Sequence, residues 1–163
     1  PVMVAKSGDP LLQEEARQTI KDELLPLARV ITPNLHETET LVGREIQSLA
    51  EMEDAAEELH ALGCEWVIVK GGHHGDGDEA VDVVYNGKKI RRLKGRRIRS
   101  ENTHGTGCTF SSAIAAGLAG GLDPWDAISR AKKYITEAIR TGVSIGEGHG
   151  PTNHSVGMKT SWM

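Results

Sequence analysis

A cysteine follows a pair of glycines at the point where the chain turns into a segment of small and apolar residues. The stretch reads Asn102-Thr103-His104-Gly105-Thr106-Gly107-Cys108. Two glycines allow several backbone N–H groups to point at one spot without Cβ clashes, and a helix N-terminus adds positive potential there. The arrangement predicts an anion site formed by Gly105, Thr106, Gly107 and Cys108, suited to a phosphoryl group in transfer. The spacing alone is equally typical of a plain packing turn.

Cys108 is the candidate catalytic group of this segment. A helix N-terminus favours the thiolate over the thiol, and a positioned side chain that accepts a proton is what general-base catalysis requires. The competing interpretation is a small residue that merely packs at the turn. The other cysteine, Cys64, borders an apolar strand and is expected to be a buried, small apolar residue.

Asn34 and Glu37 stand three residues apart at the start of a short predicted helix that ends at Gly43. At this spacing the two side chains share one helix face. Asn-x-x-Glu is the pattern of a capping box, and the residues by themselves favour that structural interpretation. The functional alternative is a carboxylate that organises Mg²⁺ and its water molecules near phosphates.

Lys70 comes directly after the apolar run Trp66–Val69 and directly before Gly71 and Gly72. A lysine at the carboxyl end of a strand can neutralise the phosphates of ATP. A solvated lysine is the commoner outcome at such a position. The adjacent glycines favour a ligand, since they permit its close approach to the backbone.

Composition limits the class of protein. The chain has 163 residues, of which 38% are apolar and 26% charged, values typical of a soluble globular domain. The net charge of −4, and a basic stretch at 88–99 without aromatic residues for base stacking, argue against a nucleic-acid partner. No apolar run approaches the roughly 20 residues that cross a bilayer. With only two cysteines the chain is not a disulfide framework, so we expect a cytoplasmic protein.

Alternating helices and strands must position these residues. Hydrophobic periodicity and turn signals predict the following elements: a buried strand ending within 2–5, a helix over 11–28 that Pro26 bends or ends, a strand over 30–32, a helix over 50–62, a strand over 66–69, a hairpin of 80–85 and 88–93 around Asn86-Gly87, a buried helix over 105–119, an amphipathic helix over 125–140 with Ile128, Ala131, Ile135 and Ile139 inward, and an irregular tail after Gly142. This order predicts an α/β protein with a mostly parallel sheet, to which the hairpin adds an antiparallel piece. In such sheets ligands bind at the carboxyl ends of the strands.

Together the motifs resemble one family, the hydroxymethylpyrimidine/phosphomethylpyrimidine kinases of thiamine biosynthesis, which are ribokinase-like. The resemblance rests on five stretches: Pro1–Leu12, Thr32-Pro33-Asn34 with Glu37, Val69-Lys70-Gly71-Gly72-His73, His104–Cys108 and Gly148–His154. It covers essentially the whole chain. Much of the superfamily has Asp where this chain has Cys108. In having Cys at this position, the chain resembles hydroxymethylpyrimidine kinases and some pyridoxal kinases.

The resemblance implies a three-layer α/β/α sandwich, with residues 1–163 as the C-terminal portion of a single kinase domain whose N-terminal part is absent. It implies ATP as co-substrate, with Lys70 and Asn34 binding the nucleotide and Glu37 holding Mg²⁺ through water. Val2 and Cys108 would contact the pyrimidine, and Cys108 would be the catalytic base. Lys6 would belong to a loop that covers the phosphates.

The implied reaction is ATP-dependent phosphorylation of the hydroxymethyl group of 4-amino-5-hydroxymethyl-2-methylpyrimidine and of the resulting monophosphate. The implied partners are these small molecules, without nucleic acid or membrane, in a homodimer. Two alternatives stay open: a pyridoxal kinase-like vitamin kinase, and a non-catalytic pyrimidine-binding module. The intact residues Glu37, Gly105, Gly107 and Cys108 argue against the module, because binding alone needs no base at a helix start.

Overall fold

The computed structural model describes residues 1–3, 11–72, 77–144 and 146–157. They fall into two compact units, Pro1–Arg97 and Ile98–Met163, here called the first and the second unit. Of the predicted strand within 2–5, Pro1, Val2 and Met3 are irregular, and Val4 and Ala5 lie outside the described residues. Lys6 also lies outside them.

The predicted helix over 11–28 exists as three consecutive pieces with different pitch. Helix α1 covers Glu14–Thr19, a π-helical turn covers Ile20–Leu24, and a 3₁₀ turn covers Leu25–Leu27. Pro26 explains the change of pitch, because it has no N–H to donate and its ring clashes with the carbonyl four residues earlier. The helix therefore widens before Pro26 and tightens around it.

The first unit is built on a four-stranded sheet with the order β1-β2-β3-β4. Its elements in chain order are β1 Val30–Ile31, α2 Leu35–Val42, α3 Leu49–Ala61, β2 Trp66–Val69, β3 Glu79–Tyr85 and β4 Ile90–Arg96. Helix α3 places Met52, Ala55, Ala56 and Leu59 in the same buried cluster as Val67, Val69 and Val83 of the strands. The predicted α3 and β2 are therefore confirmed to within one residue.

The α/β class is confirmed, but the described sheet is mixed rather than mostly parallel. Strand β1 pairs parallel with β2, whereas β2 with β3 and β3 with β4 are antiparallel. The hairpin accounts for the difference, since it contributes two of the three pairings. Its turn is a four-residue connection rather than Asn86-Gly87 alone, and the Asn86 side-chain oxygen accepts hydrogen bonds from the N–H groups of Lys88 and Lys89.

The second unit pairs helix α4, Thr106–Ala119, with helix α5, Pro124–Arg140. Gly117 allows the close approach, since a Cβ there would lie 3.0 Å from the Ala127 Cβ. Helix α5 buries Ala127, Ile128, Ala131, Ile135 and Ala138, so Ala138 takes the inward place predicted for Ile139, which is half-buried. The described part of the tail is irregular, as predicted.

One prediction for α4 is wrong within this chain. The helix was expected to be buried all round, yet only Thr109, Phe110 and Ile114 are buried. The apolar composition of a helix shows that each of its faces is suited to burial, but it does not show whether another element packs on each face. Among the described residues, no helix has both the length and the apolarity to cross a membrane.

Candidate active site

Asn34 and Glu37 form the capping box that their spacing suggested. The Glu37 N–H donates to Asn34 Oδ1 at 2.9 Å, and the Asn34 N–H donates to Glu37 Oε2 at 2.8 Å. The helix α2 that they open ends at Gly43 with φ 74°, a left-handed conformation that suits glycine. Glu37 is only 5% exposed. The Glu37 carboxylate is therefore held in a fixed position by the capping box.

Lys70 lies against the same segment. It continues β2 and pairs with Asn34 in a parallel bridge, and its N–H donates to the Pro33 carbonyl at 2.9 Å. Its ammonium group, Nζ, donates to the Thr32 carbonyl at 2.6 Å. The structure thus brings Asn34, Glu37 and Lys70 together as one group, here called the strand-end cluster. It combines a held carboxylate with a held cation at the carboxyl ends of β1 and β2.

Asp82 of β3 holds Gly71, the neighbour of Lys70, and no sequence motif predicted this contact. This carboxylate is 3% exposed and accepts a hydrogen bond from the Gly71 N–H at 3.1 Å. Gly71 packs so tightly that a Cβ would collide with the Val81 carbonyl oxygen. A single carboxylate inside the apolar run from Ala80 to Val84 was the available signal, because buried charged groups need a partner.

In the second unit, residues 105–108 form the turn into α4, here called the anion turn. Gly105 is the N-cap residue with φ 80°, a conformation that glycine adopts without Cβ strain. The Thr109 N–H donates to the Gly105 carbonyl at 2.8 Å, and the Thr106 hydroxyl donates to the Thr103 carbonyl at 2.7 Å. Gly107 and Cys108 stand in the first helical turn, where N–H groups have no intrahelical partner.

The two thiols have opposite environments. Cys108 is exposed and lines an open cavity of about 590 Å³ in the second unit, together with Thr109, Tyr134, His154 and small residues of α4. Cys64 is fully buried in the first unit, where its Sγ donates to the Leu25 carbonyl at 3.1 Å. Burial raises the pKa of the Cys64 thiol. Cys64 is thus the buried residue that the sequence predicted.

The tail contributes contacts that no local pattern suggested. Pro151 pairs with His104 in a parallel bridge, and the side chain of His154 reaches Thr109. These partners are separated by more than 40 residues, which explains why spacing could not reveal them. Val2, by contrast, is 64% exposed, and its role in substrate binding stays a prediction.

Residues 1–153 match the sequence family described as phosphomethylpyrimidine kinase. The chain belongs to this family. A bifunctional thiamine biosynthesis protein of Geobacter sulfurreducens is 50% identical over 94% of the chain, and the hydroxymethylpyrimidine/phosphomethylpyrimidine kinase of Bacillus subtilis is 42% identical over 94% of it. The resemblance drawn from the motifs is therefore confirmed.

Solved kinase structures support the fold of this phosphomethylpyrimidine kinase family member. The pyridoxal kinase of Staphylococcus aureus in complex with AMP-PCP superposes with a TM-score of 0.87 at 35% identity, covering 94% of this chain and 56% of that one. The ribokinase-like class is thus confirmed. The chain spans 31% of the length of the bifunctional Geobacter protein and 57% of the length of the Bacillus kinase.

Proposed function

We propose that the gene product containing this chain transfers the γ-phosphoryl group of ATP to the hydroxymethyl group of 4-amino-5-hydroxymethyl-2-methylpyrimidine and then to the monophosphate. The observation that carries the proposal is Cys108, placed at the start of α4 behind the left-handed Gly105 in a chain that belongs to the phosphomethylpyrimidine kinase family. Much of the ribokinase-like superfamily has Asp at this place.

In this proposal the strand-end cluster serves the nucleotide. Lys70 neutralises phosphate charge, and its anchorage on the Thr32 carbonyl keeps its ammonium group at the end of β2. Asn34 contacts the nucleotide from the start of α2, with its side chain already oriented by the Glu37 N–H. A cation that is already fixed in position suits this role, since phosphoryl transfer depends on positioning and electrostatic stabilisation.

Glu37 suits Mg²⁺ held through water. The described residues contain no group of three or more metal-ligating side chains, but Mg²⁺ commonly uses one or two carboxylates together with waters and phosphates. A carboxylate that is nearly buried and held by the Asn34 N–H fits that donor set. When bound, Mg²⁺ would neutralise charge on the phosphates.

The anion turn and Cys108 serve the transferred group and the acceptor. Cys108 accepts the proton of the substrate hydroxyl or orients that hydroxyl, and backbone N–H groups of Gly105, Gly107 and Cys108 stabilise the developing charge on the phosphoryl oxygens. The Thr106 N–H is less suited to this role, because it donates to the Thr103 carbonyl. The exposed thiol has the access that this role needs. Val2 contacts the pyrimidine ring.

Pyridoxal phosphorylation is the second candidate activity. The favouring observation is the likeness to the pyridoxal kinase of Staphylococcus aureus, at a TM-score of 0.87. A non-catalytic pyrimidine-binding module is the third possibility. This function gives Cys108, Glu37 and Lys70 no common role, and it is therefore the least supported of the three candidate functions.

A substrate panel tests the proposal. The intact gene product is incubated with ATP and Mg²⁺ and with the pyrimidine, its monophosphate or pyridoxal, and phosphorylated products are quantified by mass spectrometry. We expect the pyrimidine to give the highest kcat/KM. A preference for pyridoxal would replace the proposal with the second activity. Binding of the pyrimidine without turnover would support the non-catalytic pyrimidine-binding module instead.

A homodimer and a cytoplasmic location complete the proposal as predictions. Light scattering of the intact gene product tests the first, with a mass of one subunit as the contradicting result. Fractionation of the source cells tests the second, with recovery in the membrane pellet as the contradicting result.

A further inference from the structure

Residues 150–154, here called the strap, run beside the anion turn within the second unit. The His104 N–H donates to the Gly150 carbonyl at 3.1 Å, and the Thr152 N–H donates to the His104 carbonyl at 3.3 Å. His104 is the residue directly before Gly105. The strap therefore fixes the backbone on the incoming side of the turn.

The strap also holds the outgoing side, through His154. The His154 Nε2 lies 3.0 Å from the hydroxyl oxygen of Thr109, the residue directly after Cys108. The hydroxyl of Tyr134 on α5 donates to the His154 carbonyl at 2.8 Å. The backbone of His154 is thus held by α5, and its imidazole contacts the start of α4. Thr109, Tyr134 and His154 also line the same cavity as Cys108.

Close packing sets the register of the strap. A Cβ at Gly150 would collide with the side chain of Asn102, which is nearly buried. The Asn153 N–H donates to the Ala138 carbonyl at 2.9 Å on the α5 side. Sliding the strap by one residue would lose these contacts together, so its place beside the turn is specified.

The anion turn needs such support because its own cap supplies none. Gly105 occupies the N-cap position, where Ser, Thr, Asp or Asn would otherwise bond an N–H of the first turn. Gly105 therefore leaves α4 without a side-chain N-cap, and the local side-chain contact of the turn, from the Thr106 hydroxyl to the Thr103 carbonyl, braces only its incoming side. Misplacement of a catalytic group by about 1 Å can cost about 100-fold in rate.

We propose that the strap is the positioning device of the anion turn, with His154 and Tyr134 as its positioning residues. The inference rests on the proposed kinase function. His154 fixes the Thr109 hydroxyl and thereby the first turn of α4, and Tyr134 fixes His154. The tail thus acts on phosphoryl transfer through the turn, without a role in holding ATP.

Variants of the intact gene product test the strap. His154→Ala removes the contact to Thr109, and His154→Gln restores an amide that can hydrogen-bond to it. We expect His154→Ala to lower kcat by about 10- to 100-fold with the KM for ATP nearly unchanged, and His154→Gln to recover most of the loss. Tyr134→Phe keeps the ring and is expected to lose about fivefold. His149→Ala is the matched control, an exposed histidine in the same tail.

A double variant and hydrogen exchange complete the experiment. Thr109→Val combined with His154→Ala should cost no more than His154→Ala, because both remove one interaction. The amides of residues 105–109 should exchange about tenfold faster in His154→Ala than in His149→Ala, with the centre of α5 unchanged. This readout holds for any substrate, so it separates failure of the strap from failure of the proposed reaction. Unchanged exchange in the turn, or a lowered melting temperature with wild-type kcat, would overturn the inference.

Discussion

The strand-end cluster and the anion turn differ in how they are held. Asn34 and Glu37 hold each other across three residues, and Lys70 joins them through the neighbouring strand. The anion turn has no side-chain N-cap, and its local brace is the Thr106 hydroxyl on the Thr103 carbonyl. The residues that flank the turn, His104 and Thr109, have partners more than 40 residues away in the tail. The capping box of the strand-end cluster is specified by local sequence, whereas Lys70 and the residues that flank the anion turn are placed by long-range contacts.

The difference has a chemical reason. The strand-end cluster offers side-chain charges, and a capping box can hold a carboxylate without hiding it entirely. The anion turn offers backbone N–H groups, which any capping side chain would occupy. A site made of backbone donors without a side-chain cap therefore gains support from residues outside the turn. We expect substitutions in the turn to act on kcat, and substitutions in the cluster to act on Mg²⁺ and nucleotide handling.

The largest effect is expected from Cys108→Ala in the intact gene product. Loss of a general base typically costs about 10²–10⁴-fold in rate, and we expect kcat to fall by that amount. The KM for ATP should change little, since Lys70 and backbone groups hold the phosphates. Cys108→Asp should keep more activity than Cys108→Ala, because a carboxylate can also accept the proton. Near-native turnover of the Ala variant at neutral pH would remove Cys108 from the mechanism.

Glu37→Gln is expected to have the next largest effect. Gln can keep the capping box, since its side-chain oxygen still accepts from the Asn34 N–H, but it loses the charge that would hold Mg²⁺. We expect kcat to fall by about 10- to 100-fold at limiting Mg²⁺, in the range for groups that orient a metal's ligands. Activity titrated against Mg²⁺ is the measurement.

Helix α3 supplies the matched control for Glu37→Gln. Ser48 and Glu51 form a second capping box, with the Glu51 N–H donating to Ser48 Oγ at 3.2 Å. Glu51→Gln should change the melting temperature about as little as Glu37→Gln and should leave the Mg²⁺ dependence unaltered. Equal melting shifts with the same Mg²⁺ dependence in both variants would reduce Glu37 to a helix cap.

Local signals predicted most of the fold. The stop at Gly43, the inward face of α3 and the strand Trp66–Val69 follow from residue types a few positions apart. The antiparallel pairing of β3 with β4 follows from the predicted hairpin, whereas the antiparallel pairing of β2 with β3 was missed, because the residues of a buried strand do not show the direction of its neighbours. The exposure of much of α4 was also missed, since an apolar surface does not reveal whether another element covers it.

The candidate sites divide in the same way. Asn34, Glu37 and Lys70 were predicted, and the structure groups them. Asp82 was missed because its partner, the Gly71 N–H, lies 11 residues earlier, just beyond the end of β2. The strap residue His154 was missed because its contact with Thr109 closes 45 residues of chain. Pairings of that length leave no periodic trace in the sequence.

Gly71→Ala tests the tightness of the strand-end cluster and is expected to act mainly on stability. The new Cβ would collide with the Val81 carbonyl oxygen, whereas a Cβ at Gly72 meets nothing within 4 Å. Overpacking of this kind typically costs about 1–3 kcal/mol, so the free energy of unfolding should fall by that amount in Gly71→Ala and much less in Gly72→Ala. Similar unfolding midpoints for the two variants in urea would contradict the close packing.

The smallest functional effect is expected at Cys64, and it sharpens the contrast between the two thiols. Cys64 is fully buried, donates to the Leu25 carbonyl and has a raised pKa, so at neutral pH it is a protonated thiol without access to reagent. Under native conditions iodoacetamide should label Cys108 first, and activity should fall in step with that labelling. Labelling of Cys64 should require unfolding. Cys64→Ala should keep wild-type turnover and remain open to inactivation by iodoacetamide, with bound pyrimidine slowing the reaction. If Cys64→Ala instead resists inactivation, the sensitive thiol lies in the first unit, and the assignment of the reactive base to the anion turn is wrong.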